Sequence, residues 1–154
     1  MTRERHDSQS FSVRNATDPL YCQSAARAFA LSCGLAPRHA SALAIAVSEL
    51  ASNIVRHAGE GTVSLTRLET PRGLEVVASD RGPGIADVEL ALQDGFSRGR
   101  FNAQALLEGK GPPPSLGCGL GAVKRLVDEC EIETRPGQGT KVTVRMFAKE
   151  TQRR

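Results

Sequence analysis

The chain has 154 residues, 40% of them hydrophobic and 24% charged, with a net charge of +3. That is enough for one domain with a real core and short for two, and the mild positive balance comes without a basic run interleaved with aromatics, so nucleic acid is not implied as a partner. No apolar run approaches membrane length and residues 1–10 are polar with no apolar core segment, so neither a spanning helix nor a signal peptide is expected, and a cytoplasmic location is.

In chain order, residues 1–10 are expected to be disordered, and Phe11 to Asn15 alternates as a short strand before a turn cluster ending at Pro19. A helix is predicted from about Leu20 to Cys33, stopping at Gly34. A second begins near Pro37, a residue suited to a first helical turn, and ends at Ala58-Gly59. In this second helix Leu43, Ala46, Val47, Leu50 and Ile54 form one apolar stripe, and Glu49 and Asn53 stand one turn apart on its flank. A carboxylate and a carboxamide so placed can hold a hard cation and a hydroxyl side by side; equally, they can be the solvated edge of an amphipathic helix. His57 lies one turn further on, where it can touch that pair or face the last carbonyls of the helix.

A hairpin follows, with strands from Thr62 to Leu68 and Leu74 to Asp80 around a turn at Pro71-Arg72-Gly73. Asp80 ends the apolar row Leu74, Val76, Ala78. Such a carboxylate either caps the next turn or meets a donor such as the exocyclic amine of an adenine. Gly82 and Gly84 flank Pro83 in a tight bend whose bare backbone would let a flat ring lie close. Ala86 to Asp94 reads as a short helix. Residues 97–116, rich in glycine and proline, lose the pattern and read as a lid over a site.

Gly117, Gly119 and Gly121 then open a helix whose apolar positions are Leu120, Val123, Leu126, Val127 and Cys130, and N–H groups at such a start suit phosphate. Lys124, in its first turn, can add a phosphate contact or face solvent. The chain closes with strands from Glu131 to Thr134 and from Thr140 to Phe147. Cys22, Cys33, Cys118 and Cys130 show no metal-binding spacing and are expected to be reduced thiols; Cys118, in the glycine loop, is either a small filler or an oxidation-sensitive group.

The order of these features, Glu-x-x-x-Asn on a helix, a strand ending in Asp-x-Gly-x-Gly, a lid, a Gly-x-Gly-x-Gly helix start and a Gly-Thr strand, resembles the GHKL ATP-binding superfamily with its Bergerat fold. The resemblance covers about residues 37–147. It implies an α/β, more narrowly α+β, sandwich: a mixed, mostly antiparallel sheet on one layer of helices, with a mobile ATP lid. The domain would run over 11–148, followed by a flexible tail at 149–154. By the same resemblance Asn53 would coordinate Mg²⁺ and Glu49 would be the general base. Asp80 would bind the adenine amine, Gly82 and Gly84 would shape its pocket, and Thr140 would assist. Gly117, Gly119, Leu120 and Gly121 would approach the phosphates of ATP.

More narrowly, Ser48-Glu49-Leu50-Ala51, Asp94-Gly95-Phe96-Ser97 and Gly119 to Leu126 are similar to the RsbT-type serine/threonine switch kinases of bacterial partner-switching systems. That implies a STAS-domain antagonist as protein substrate and a PP2C-type phosphatase or a sigma factor as a further partner. Two alternatives are an anti-sigma factor kinase and a non-catalytic module that uses ATP to set its shape. A histidine-kinase module fits poorly, because none of His6, His39 and His57 lies on a helical hairpin fit to carry a phosphoacceptor.

Overall fold

The computed structural model describes residues 7–92, 96–97, 100–101 and 119–149. In chain order they form β1 (Ser8–Val13), α1 (Asp18–Ser32), α2 (Pro37–Asn53), a π-turn (Ile54–Ala58), β2 (Gly61–Glu69) and β3 (Arg72–Asp80). There follow a one-turn helix α3 (Val88–Ala91), the short pair β4 (Phe96–Ser97) and β5 (Arg100–Phe101), then α4 (Leu120–Leu126), β6 (Glu129–Thr134) and β7 (Thr140–Phe147).

The main sheet has the order β1-β2-β3-β7-β6, and each of its neighbouring pairs is antiparallel. The expected α+β sandwich is present, but the sheet is not mixed. Two hairpins, β2-β3 and β6-β7, supply most of it. The crossover from β3 delivers β6 to the far side of β7, so that β7 meets β3 in the opposite sense.

Strand alternation decides which face is dry. Val63 and Leu65 of β2, Leu74, Val76 and Ala78 of β3, and Val142, Val144 and Met146 of β7 are all buried, together with Val13 of β1. Full burial of a Leu or Val side chain contributes roughly 1.5–3 kcal/mol, so these rows hold the sheet against the helices. The other face is polar: Ser10 bonds Ser64, and Arg145 bonds Glu75, Glu129 and Glu131 across three strands. Those carboxylates raise the pKa of the Arg145 guanidinium and keep it charged.

The helix layer is centred on α2, which packs against α1, α4, β3 and β7. Its predicted stripe is buried at Leu43, Ala46, Val47, Leu50 and Ile54, and Ala40, Ala44 and Ala51 are buried beside it. These small side chains allow close approach of neighbouring elements. Pro37 sits in the first turn, as expected. Gly59, with φ +83°, ends the π-turn, accepting a backbone conformation that other residues adopt only with strain.

Several boundaries differ from expectation. Ser8 to Ser10 are paired with Thr66, Leu65 and Ser64, so part of the segment expected to be disordered is strand. Arg72 and Gly73 belong to β3, leaving Thr70 and the cis-linked Pro71 as the turn. Helix α3 is confined to four residues, with Asp87 Oδ1 capping the Leu90 N–H at 3.1 Å. Helix α4 ends at Leu126, and Cys130, expected on it, lies in β6 opposite Val144. The helical spacing there is borrowed: Val127 is extended, and Ile132 and Cys130 turn toward the sheet's apolar side by strand alternation. The lid expected at 97–116 lies, apart from Ser97, Arg100 and Phe101, outside the described residues, as do Gly117 and Cys118.

Candidate functional site

Glu49 is an acid built into the apolar layer. It is 2% exposed, on the turn of α2 between Val47 and Leu50, so the solvated-edge reading of this position does not hold. A buried carboxylate demands a compensating donor or cation. Arg56, carried by the π-turn, provides one: its Nη2 lies 4.0 Å from Glu49 Oε2. The same nitrogen donates to Asn53 Oδ1 at 3.1 Å. Glu49, Asn53 and Arg56 are therefore one cluster, with the two oxygen-bearing side chains a turn apart on α2. His57, considered for this place, is exposed.

The second half of the site is the end of β3. Asp80 Oδ1 accepts the Gly82 N–H at 2.9 Å, closing a turn on its own backbone. The other carboxylate oxygen accepts no hydrogen bond from the described residues. The capping reading of Asp80 is thus correct, and it engages only one of the two oxygens. Gly82 joins the two halves: a β-carbon there would stand 2.7 Å from Ala58 Cβ, at the end of the π-turn that follows Asn53.

The bend is glycine-rich for reasons internal to the protein. A β-carbon on Gly84, whose φ is +76°, would collide with the Arg135 carbonyl. Gly82 and Gly84 therefore let this loop lie against the rest of the chain. The loop is held by Thr134, whose Oγ1 accepts the Ile85 N–H at 2.8 Å and lies 3.1 Å from both Gly139 O and Thr140 Oγ1. A further bond runs from Gly137 N–H to Pro83 O at 2.8 Å. Thr140, opposite Asp80 in register, is bound into this network.

Gly61 and Gly139 also serve the site. A β-carbon on Gly139, whose φ is +85°, would collide with the Asp80 carbonyl, and one on Gly61 with the Ser79 carbonyl and, at 2.8 Å, with Ile54. Thr134, Gly61 and Arg56 were not singled out in the sequence, and Gly139 entered only as the first residue of the Gly-Thr motif. Strand register and turn conformation select Thr134 and Gly61, and no motif announces either. Arg56 stands three residues from Asn53 and seven from Glu49, a helical spacing that could have been noticed.

A groove of about 540 Å³ lies at this end of the sheet, lined by Asp80, Thr134, Gly139 and Thr140 among others, with Glu49 and Asn53 outside it. At the glycine-led helix, Gly119 has φ +88° and accepts the Val123 N–H through its carbonyl, while Leu120 and Gly121 are buried. Lys124 is exposed. Burial raises the thiol pKa of Cys22, Cys33 and Cys130, and all three are free thiols. Among the described residues no cluster of His, Cys, Asp and Glu could hold a metal by itself, and no helix is long and apolar enough to cross a membrane.

A one-faced antiparallel sheet under helices, with a Glu-x-x-x-Asn helix beside an Asp-ended strand and its glycine bend, defines the class of GHKL-type ATP-binding folds. Residues 15–146 match the histidine kinase-like ATPase domain, and the chain belongs to that family, which implies use of ATP.

Among relatives, it is 36% identical over 99 residues to serine/threonine-protein kinase RsbT of Bacillus subtilis, covering 63% of this chain and 64% of that one. It is 30% identical over 105 residues to the anti-sigma F factor of Caldanaerobacter subterraneus subsp. tengcongensis, covering 66% of each. The chain thus spans just under two thirds of the length of these curated relatives.

Solved structures share the fold at 15% identity. For the RsbU and RsbW domains of a Mycobacterium tuberculosis protein the TM-score is 0.60, over 91% of this chain and 31% of that one. For the SiaB-SiaC complex of Pseudomonas aeruginosa it is 0.51, over 90% and 88%.

Proposed function

We propose that this chain is an Mg-ATP-dependent serine/threonine protein kinase that phosphorylates a STAS-domain antagonist in a bacterial partner-switching pathway. The observation that carries the proposal is the buried Glu49 carboxylate, held one turn before Asn53 and within reach of Arg56. A module that merely retained nucleotide would have no use for an acid kept there against its desolvation cost.

The chemistry suits magnesium: Asn53 Oδ1 is a hard donor of the kind that ion accepts alongside water and phosphate oxygens, and the neighbouring Glu49 carboxylate is left for the acceptor hydroxyl. When bound, the metal would offset charge on the polyphosphate. Asp80 would accept the adenine amine through its second oxygen, with the Gly82-Gly84 bend and Thr140 fixing the shape of that pocket. Gly117, Gly119, Leu120 and Gly121 would line the phosphate path. Glu49 would orient the acceptor Ser or Thr hydroxyl and receive its proton as the γ-phosphoryl moves to that oxygen and ADP leaves. Phosphoryl transfer asks mainly for alignment and charge compensation, which a fixed carboxylate can supply at the nucleophile.

The similarity to RsbT supports serine/threonine protein kinase activity, and the similarity to an anti-sigma F factor supports a sigma factor as a further partner. A PP2C-type phosphatase is the alternative partner. The reading implies a cytoplasmic location.

Its test is transfer of radiolabelled γ-phosphate to STAS-domain proteins of the same genome. Wild type is expected to label a Ser or Thr, and Glu49→Gln to lose at least about 100-fold in rate while still binding ADP. ATP binding without transfer to any of those proteins would make the chain an ATP-gated binding module instead.

A further inference from the structure

Arg56 stands where the proposed metal role of Asn53 requires a cation. Of the two polar atoms on the Asn53 carboxamide, the oxygen is the hard donor and the nitrogen is a hydrogen-bond donor. That oxygen is held by Arg56 Nη2 at 3.1 Å, and the same nitrogen faces Glu49 Oε2 at 4.0 Å. A divalent ion and a guanidinium on one carboxamide oxygen repel each other, and the single Glu49 carboxylate beside them, 2% exposed, offsets only one of their charges, so the two compete for that oxygen.

We infer that Arg56 is a placeholder for the divalent cation. This positioning residue holds Glu49 and Asn53 in their working arrangement before nucleotide arrives, and leaves Asn53 when Mg²⁺ takes the oxygen. The inference rests on the metal role proposed above for Asn53. The local backbone suits an exchange of this kind. Arg56 is on a π-turn rather than on α2 proper, closed by the Gly59 N–H to Ile54 O bond at 2.9 Å, and a single wide turn is easier to re-form than the interior of a helix. At 29% exposure its side chain has a way out to solvent.

A placeholder competes with the ion it replaces, so its removal changes the metal dependence of binding. The experiment is calorimetric titration of ADP into wild type, Arg56→Gln and Asn53→Ala, each with and without Mg²⁺, the readout being the ratio of the two affinities. Loss of a hydrogen bond from a charged donor corresponds to about a tenfold rise of that ratio in Arg56→Gln. In Asn53→Ala the ratio is expected to fall to about one.

A ratio unchanged in Arg56→Gln but abolished in Asn53→Ala overturns the placeholder role alone. Equal weakening with and without Mg²⁺ in Arg56→Gln makes Arg56 a phosphate contact and likewise overturns it. A ratio unaffected by Asn53→Ala removes the metal assignment itself, and the inference with it. Arg56→Lys, which keeps a positive charge near Glu49, covers the case in which the glutamine variant does not fold. It is expected to raise the ratio by about threefold, since the ammonium lacks the guanidinium's planar fork, and an unchanged ratio counts against the placeholder.

Discussion

Asp80 serves two neighbours with one carboxylate. Oδ1 closes the turn with Gly82, and in the proposed function the second oxygen accepts the adenine amine. Asp80→Asn keeps an oxygen for the turn but replaces the ligand-facing acceptor by an NH₂ group. It is expected to weaken adenine nucleotide binding about 10- to 100-fold with little change in melting temperature, whereas Asp80→Ala loses both. Fluorescent-ADP titration run beside melting curves separates them; unchanged affinity in Asp80→Asn would leave the second oxygen without a ligand role. The turn-closing half of this behaviour could be read from the sequence, because it follows from where an acid falls at the end of a strand. Thr134 could not be so read. In an alternating strand a threonine is unremarkable, and its three contacts arise from a hairpin and a loop brought together from 49 residues apart.

At the scale of elements, the sheet end and the loop are fitted through glycine. Gly139→Ala is expected to cost about 2–4 kcal/mol in urea unfolding, since it combines a positive φ with a collision against the Asp80 carbonyl. Gly137→Ala, at φ +75° with open space around it, should cost about 1 kcal/mol, and similar values for the two would contradict the close approach at Gly139.

The joint between β1 and α1 is electrostatic. The Arg14 and Asn15 N–H groups both donate to Asp18 Oδ2 at 2.8 Å, and those bonds hold the carboxyl pKa below its usual range. A depressed carboxylate pKa stabilises the fold above its unfolded value and loses that effect as pH falls through the folded value. The stability gap between wild type and Asp18→Asn is therefore full near neutrality and should close as pH drops below about 4, as read from urea midpoints across that range. The same scale shows why α4 was drawn too long in the sequence. Leu126, Val127 and Cys130 satisfy a helical period, while the β6 alternation through Cys130 and Ile132 prevails once Val144 and Val142 stand opposite.

Over the whole molecule, the apolar rows and their helical cover were legible because core burial imposes periods of 2 and 3.6 on the chain. The order of the site motifs was legible too, and the family match over residues 15–146 agrees with it. Hidden from view were the cross-strand partners. Arg145 binds acids on β3 and β6, an arrangement that exists only in this strand order. Arg145→Met is expected to cost about 1 kcal/mol at low ionic strength, leaving Glu75 and Glu129 on either side of an uncharged residue, and to cost less as salt is added. A loss independent of salt would mean that packing, not charge, sets the role of Arg145.

The pairing of β3 with β7 stops at Asp80 and Thr140, the last rung of that ladder. Strand ends breathe more easily than strand centres, so the oxygen proposed to meet the nucleotide sits at a strand end rather than on a loop. A nucleotide held there would act as a clasp on the end of the sheet. Its arrival would register as slower amide exchange at the terminal rungs of β3 and β7, well before anything is felt in the middle of the sheet.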